Sequence, residues 1–189
     1  VLSEATVALF EGCTHIDGDL KIDATSDIVS LDHTALAGIV AIDGSLDVVS
    51  SDVLSRVNSS TGGLANLVNV SGQVKFEHDR YLSHVSLPNL QHVGGPLILA
   101  SIGQEKGYYY NSELYPDGPF SFPQLISVGG HVKLNYLYRL TGMFMPRLVT
   151  IGGDFGIDRP LDRFNRMSPT IMPEGTPVPF DFGSLVSVG

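Results

Sequence analysis

Residues 122–134 read FPQLISVGGHVKL, and the same phrase returns as LPNLQHVGGPLIL at 87–99 and MPRLVTIGGDFGI at 145–157. Aligned on its second glycine, the phrase occurs at Gly18, Gly44, Gly72, Gly95, Gly130 and Gly153, in steps of 26, 28, 23, 35 and 23 residues. A seventh copy, SLVSVG, begins at Ser184 and breaks off, which leads to the expectation of a continuation. A repeat of this length has to be recognised before any secondary structure is assigned, because each copy is one unit of a stack.

The shared template is Φ-x-x-Φ-x-x-Φ-x-G-x-Φ-x-Φ, with Φ apolar. Its first column runs Phe10, Leu36, Leu64, Leu87, Phe122, Met145 and Phe182, and its second Cys13, Ile39, Leu67, Leu90, Leu125, Leu148 and Leu185. The third is Ile16, Ile42, Val70, Val93, Val128, Ile151 and Val188. After the glycine come Leu20, Leu46, Val74, Leu97, Val132 and Phe155, then Ile22, Val48, Phe76, Leu99, Leu134 and Ile157. The second half has period two, which predicts a β-strand with Val128, Gly130, Val132 and Leu134 on the buried face and Gly129, His131 and Lys133 outside. The first half has period three and reads as a corner feeding that strand, where Pro88, Pro123 and Pro146 cost little. A glycine at an inward strand position points to a bend, a bulge or close approach of neighbouring backbone.

One such strand cannot bury its own apolar face, but copies stacked about 4.8 Å apart make each column a continuous ladder. The predicted architecture is all-β, a β-solenoid of six to seven coils in a single domain spanning 1–189 and cut within the seventh repeat. Ile28 with Leu31, and Leu137 with Leu140, are expected to supply the remaining walls. Long insertions at 101–120 and 158–180 fall at coil corners. A leucine-rich-repeat horseshoe has a similar period but expects L-x-x-L-x-L-x-x-N, which the I/V-x-G-x-Φ-x-Φ phrase does not match.

The chain of 189 residues is 43% hydrophobic and 16% charged, the balance of a well-buried globular protein. Eleven Lys and Arg against twenty Asp and Glu give a net charge of −9, which repels a phosphate backbone and sets nucleic acid aside. The longest apolar runs, such as GPLILASIG, fall far short of a membrane-spanning helix, so no direct membrane insertion is expected of this segment.

The copies CTHIDGDLKI, GIVAIDGSLDV, LQHVGGPLIL and LISVGGHVKL resemble the receptor L domain, a right-handed β-helix of receptor ectodomains. They are still more similar to the leucine-rich-repeat-like repeats of fungal GPI-anchored cell-wall organisation proteins. The resemblance covers about residues 10–157 and 182–189. It implies right-handed coils, an extracellular place at the cell surface or cell wall, and a non-catalytic structural or recognition role. It also implies solenoid ends closed by disulfides, with a partner for Cys13 lying upstream of Val1. On the residues alone, Cys13 shares an inward column with Ile39 and Leu67, where a cysteine serves as a small hydrophobe.

Candidate sites follow from what is not repeated. Tyr108, Tyr109, Tyr110 and Tyr115 gather in one insertion and offer rigid amphipathic area for a protein or a cell-surface glycan. Asn58-Ser59-Ser60 and Asn69-Val70-Ser71 are candidate N-glycosylation sites. Lys21, Asp47 and Lys75 alternate in one outward column, which predicts cross-strand ion pairs. Asp17 and Asp43 stand one above the other without a third oxygen ligand, and the six histidines read as falling on different columns without metal-ligand spacing. No metal, cofactor or catalytic residue is therefore assigned. The competing function is a carbohydrate-active β-helix enzyme, a polysaccharide lyase or hydrolase, which needs paired carboxylates beside a cleft. Open solenoid ends are expected to invite self-association.

Overall fold

The computed structural model describes residues 1–51, 53–58, 62–79, 81–103, 118–137, 140–158 and 180–189. The first pass of the chain gives β1 (His15–Ile16) and β2 (Leu20–Ile22). The second gives β3 (Ala41–Ile42), β4 (Leu46–Val49) and β5 (Arg56–Asn58), and the third β6 (Asn69–Val70), β7 (Val74–Glu77) and β8 (His84–Ser86). Then follow β9 (His92–Val93), β10 (Leu97–Ile102) and β11 (Gly118–Ser121), and β12 (Ser127–Val128), β13 (Val132–Leu137) and β14 (Leu140–Phe144). The last are β15 (Thr150–Ile151), β16 (Phe155–Asp158), β17 (Phe180–Asp181) and β18 (Ser187–Val188). Among the described residues, helix is confined to two single 3-10 turns, Val7–Phe10 and Thr34–Leu36.

The fold is all-β, and every strand pairing is parallel. Each full pass lays one strand on each of three sheets, in the orders β1-β3-β6-β9-β12-β15-β18, β16-β13-β10-β7-β4-β2 and β17-β14-β11-β8-β5. Equivalent template residues pair directly, as in Leu46 with Val74 and Leu97 with Val132. The apolar columns are therefore stacked ladders, and Ile42, Leu67, Val74, Phe76, Leu99 and Leu134 are all fully buried. The third wall comes from residues between templates: Ile28, Leu31 and Leu137 are buried as expected, joined by Leu54, Val57, Leu82 and Val85.

The structure corrects one reading of the template. I/V-x-G-x-Φ-x-Φ is not a single strand but two, with Val128 ending β12 in the seven-stranded sheet and Val132 opening β13 in the six-stranded sheet. Gly129 and Gly130 form the corner between them, so Gly130 is not an inward strand residue. A period-two pattern runs straight through because a right-angled bend of two residues preserves the inside–outside alternation of the flanking strands.

The corner explains the glycine. The Gly72 nitrogen donates to the Gly44 carbonyl at 2.8 Å, Gly95 to Gly72 at 2.8 Å, and Gly130 to Gly95 at 3.0 Å, a column of backbone bonds along the stack. A Cβ on Gly95 would lie 2.9 Å from the Gly72 carbonyl carbon, and one on Gly130 2.7 Å from the Pro96 nitrogen. Beside it, a Cβ on Gly94, Gly129 or Gly152 would collide with the carbonyl oxygen of the pass below. Close approach of backbone, rather than an unusual φ, excludes side chains here.

A second corner joins the six-stranded to the five-stranded sheet. Ser50, His78, Ser101 and Tyr136 stack there, all in the left-handed region with φ of 57°, 60°, 55° and 49°. Just beyond it, Ser51 and Asp79 are fully buried, and the Ser51 nitrogen donates to Asp79 Oδ1 at 2.7 Å across two passes. Gly103 nitrogen donates in turn to the Asp79 carbonyl at 2.9 Å. This corner adds the buried Ser51–Asp79 contact to backbone bonds from Ser50 to Glu77 and from His78 to Ala100.

Candidate functional site

With the core this uniform, chemistry can lie only on the three outer faces. On the six-stranded sheet, Lys21, Asp47 and Lys75 occupy one column in direct register, as expected. The predicted cross-strand ion pairs do not form. Lys21 Nζ lies 3.4 Å from Asp23 Oδ2 and Lys75 Nζ 2.5 Å from Glu77 Oε2, each on its own pass, while Asp47 Oδ1 accepts from Gln73 Nε2 at 2.8 Å. A flexible lysine reaches the carboxylate two residues along its own strand, on the same face, and Asp47 is held by an amide instead. Asp23 also accepts from Thr25 Oγ1 at 2.6 Å, and this bond is the main cause holding its carboxyl below the ordinary value. These exposed pairs contribute about 0–1 kcal/mol each and mark a solvated face.

The outer face of the seven-stranded sheet has another character. One column runs Ala41, Asn69, His92, Ser127, Thr150 and Ser187 in register. Within it His92 Nδ1 and Ser127 Oγ are 2.9 Å apart, one donating to the other across adjacent passes. His15 heads the same column, so His15 and His92 are not on separate columns as read from sequence. Beside it lies a half-exposed aliphatic stripe of Val40, Val68, Ile126, Val149 and Val186, interrupted by Gln91. On the other side are the bare glycines 94, 129 and 152. Of these columns' residues from Val40 onward, only Asp43 carries a fixed charge, in a chain of net charge −9.

Amide side chains reinforce the rim of this face. Asn66 Nδ2 donates to the Ala37 carbonyl at 2.8 Å, Asn89 Nδ2 to Ala65 at 2.8 Å, and Arg147 to Gln124 Oε1, each reaching one pass back. The position is the third residue of the template, an x flanked by apolar columns, and its polar occupants were a signal that patterning by hydrophobicity alone passes over.

On the five-stranded sheet, Ser30 bridges Arg56 and Arg56 pairs with His84 in register. Val57 and Val85 point into the core, so Arg56 and His84 point outward side by side. Ser30 Oγ donates to Asp32 Oδ2 at 2.8 Å. Arg56 is exposed and His84 half-buried, and burial, followed by the Arg56 charge, lowers the His84 imidazole from its ordinary value while Asp32 opposes the shift. The signal for this pair was a second internal repeat, LSRVN at 54–58 and LSHVS at 82–86, 28 residues apart.

The residues expected to carry function are dispersed. Tyr108, Tyr109, Tyr110 and Tyr115 lie outside the described residues, as do most of both insertions, 104–117 and 159–179. Asn58 ends β5 on the five-stranded sheet, its side chain outside the described set. Asn69 sits half-buried in β6 on the uncharged face, its Nδ2 donating to Ser71 Oγ of its own sequon at 3.4 Å. Cys13 is partly exposed rather than buried like Ile39 and Leu67, with Sγ 3.9 Å from the Leu9 carbonyl oxygen, because it lies on the first, terminal pass. Asp17 and Asp43 are exposed, and among the described residues no three His, Cys, Asp or Glu side chains gather as a metal-binding group. No helix among the described residues is long and apolar enough to cross a membrane. No protein-family model, no curated protein and no solved structure matches the chain.

Proposed function

We propose that the three parallel sheets close into a right-handed β-helix of six to seven coils forming one domain. Parallel crossovers in one sheet are almost always right-handed, which supports the hand. In this reading the chain is receptor L-domain-like, nearest in its repeats to fungal GPI-anchored cell-wall organisation proteins. It acts outside the cell, at the surface or in the wall, as a non-catalytic structural or recognition module. Its partner is a cell-surface glycan or a protein.

The observation that carries the reading is the outer face of the seven-stranded sheet. Hydroxyl, amide and imidazole groups recur there at one strand spacing, about 4.8 Å, beside an aliphatic stripe and a glycine shelf that leaves backbone accessible. An uncharged, periodic face on an acidic protein favours an uncharged, extended partner such as a neutral polysaccharide. The test is a glycan array read with the wild-type domain and with Thr150→Glu, which places a charge in the centre of the column. Retention of neutral glycans by the wild type, lost in the variant, is the expected result. Retention unaffected by Thr150→Glu removes this face as the contact, and binding to cell-surface protein alone selects the protein partner. A glycan at Asn69 would cover part of the face, so enzymatic deglycosylation of secreted material should raise retention.

A further inference from the structure

Arg56 and His84 differ from the two ion-paired lysines of the six-stranded sheet. Lysines 21 and 75 each have a carboxylate within 4 Å. Arg56 and His84 have neither an ion pair nor a side-chain hydrogen bond among the described residues, although acids outnumber bases twenty to eleven. They also stand directly across from each other on neighbouring passes, about 4.8 Å apart, where the Arg56 charge disfavours protonation of His84. The flanking strand on the other side, β11, contributes Gly118 to Ser121 and no charge, and among the described residues the acid that reaches His84 is Asp32, already bound by Ser30. An anion between the two groups favours the protonated imidazole that burial and Arg56 disfavour.

We infer that Arg56 and His84 form a binding site for a singly charged carboxylate group. The planar guanidinium fork matches the two oxygens of a carboxylate, and the half-buried imidazolium supplies a second, charge-assisted donor from the next pass. Asp32 selects against doubly charged phosphate, because its own negative charge lies beside the pair. Half-exposed Ser86, in register with Asn58 one pass back, offers a hydroxyl near the same face. Binding favours protonated His84, so affinity rises as pH falls through the His84 titration, until the ligand carboxyl itself takes up a proton. The site lies on a different sheet from the uncharged face and does not depend on that face being a glycan contact.

The test follows the His84 ring by NMR, its signal identified by loss in His84→Gln, during titration with glucuronate, N-acetylglutamine, inorganic phosphate and methyl glucoside. Saturable shifts with the two carboxylates are expected, the tighter of the two naming a sugar or an amino-acid source, with weaker binding of phosphate and none of methyl glucoside. Arg56→Gln should weaken carboxylate binding about tenfold, the loss of one charged hydrogen bond. Arg56→Lys, which keeps the charge without the fork, provides an intermediate value and a second chance of a folded variant. Absence of any shift, phosphate binding as tight as glucuronate, or affinity unchanged in both Arg56 variants overturns the site.

Discussion

Each pass of the chain turns two well-described corners, and they are built on opposite principles. At the first, Gly44, Gly72, Gly95 and Gly130 have no room for a Cβ, and none needs a left-handed φ. At the second, Ser50, His78, Ser101 and Tyr136 all adopt a left-handed φ, yet carry side chains that are exposed or half-exposed. A left-handed non-glycine residue costs about 1 kcal/mol, whereas a buried steric collision with backbone has no inexpensive relaxation. At Gly18 in the first pass φ is 117° and space is open, but at Gly44, Gly72, Gly95 and Gly130 it is space, not torsion, that enforces glycine.

The comparison breaks most sharply at Gly129. Gly129→Ala drives a methyl into the Gly94 carbonyl oxygen and should cost about 3 kcal/mol, at the upper end of overpacking penalties, seen as a lower urea midpoint with unchanged slope. If Gly129→Ala unfolds at the wild-type midpoint, the corner tolerates side chains and the steric account is wrong. Asn89→Ala, on the rim that feeds the same corner, removes one hydrogen bond to the Ala65 carbonyl and should cost about 1 kcal/mol in thermal unfolding. At the second corner His78→Gly relieves torsional strain while raising the entropy of the unfolded chain. The two effects oppose, and the net change should stay within about 0.5 kcal/mol.

The smallest effect lies beyond both corners, at His84. Burial and then Arg56 depress its pKa, so the unfolded chain binds a proton at higher pH than the folded one. Its contribution to stability is present above the ordinary histidine value of about 6.5 and is lost as pH falls through the folded value. His84→Gln should flatten the unfolding midpoint across that window and leave it unchanged near pH 8. A dependence that persists in His84→Gln assigns the titration elsewhere.

The two ends of the stack repeat the lesson in another form. At the first pass Leu2 and Val7 are buried, Leu2 nitrogen donates to the Lys21 carbonyl at 2.7 Å, and Ser26 Oγ donates to the Leu2 carbonyl at 2.7 Å, so a non-repeating segment covers β2. At the other end Ile157 and Val188 are 41% and 49% exposed, and the Phe155 and Phe182 rings meet edge to face at 5.2 Å at the margin of the core. The same template residue is core or surface according to whether another layer lies on it.

The apolar columns were legible because a strand alternates inside and outside regardless of its partner, so Leu46, Val74 and Leu97 declare their direction one chain segment at a time. The Gly129–Gly130 corner was not, since a bend that conserves the alternation leaves no mark in the pattern of apolar residues. The pairing of Lys21 with Asp23 instead of Asp47 was also hidden, because register places the column but side-chain reach and competing amides choose the partner. Arg56 and His84 were overlooked because LSRVN and LSHVS lie outside the glycine template.

By itself the sequence determined the repeat, its number of passes, the core ladders and the direction each template side chain takes, all of which follow from local backbone periodicity. Only the tertiary structure decided where one strand becomes two, which corner forbids a side chain, and which basic side chains stand side by side. Those outcomes depend on distances between passes 23 to 35 residues apart in the chain, and such distances exist only once the layers are stacked.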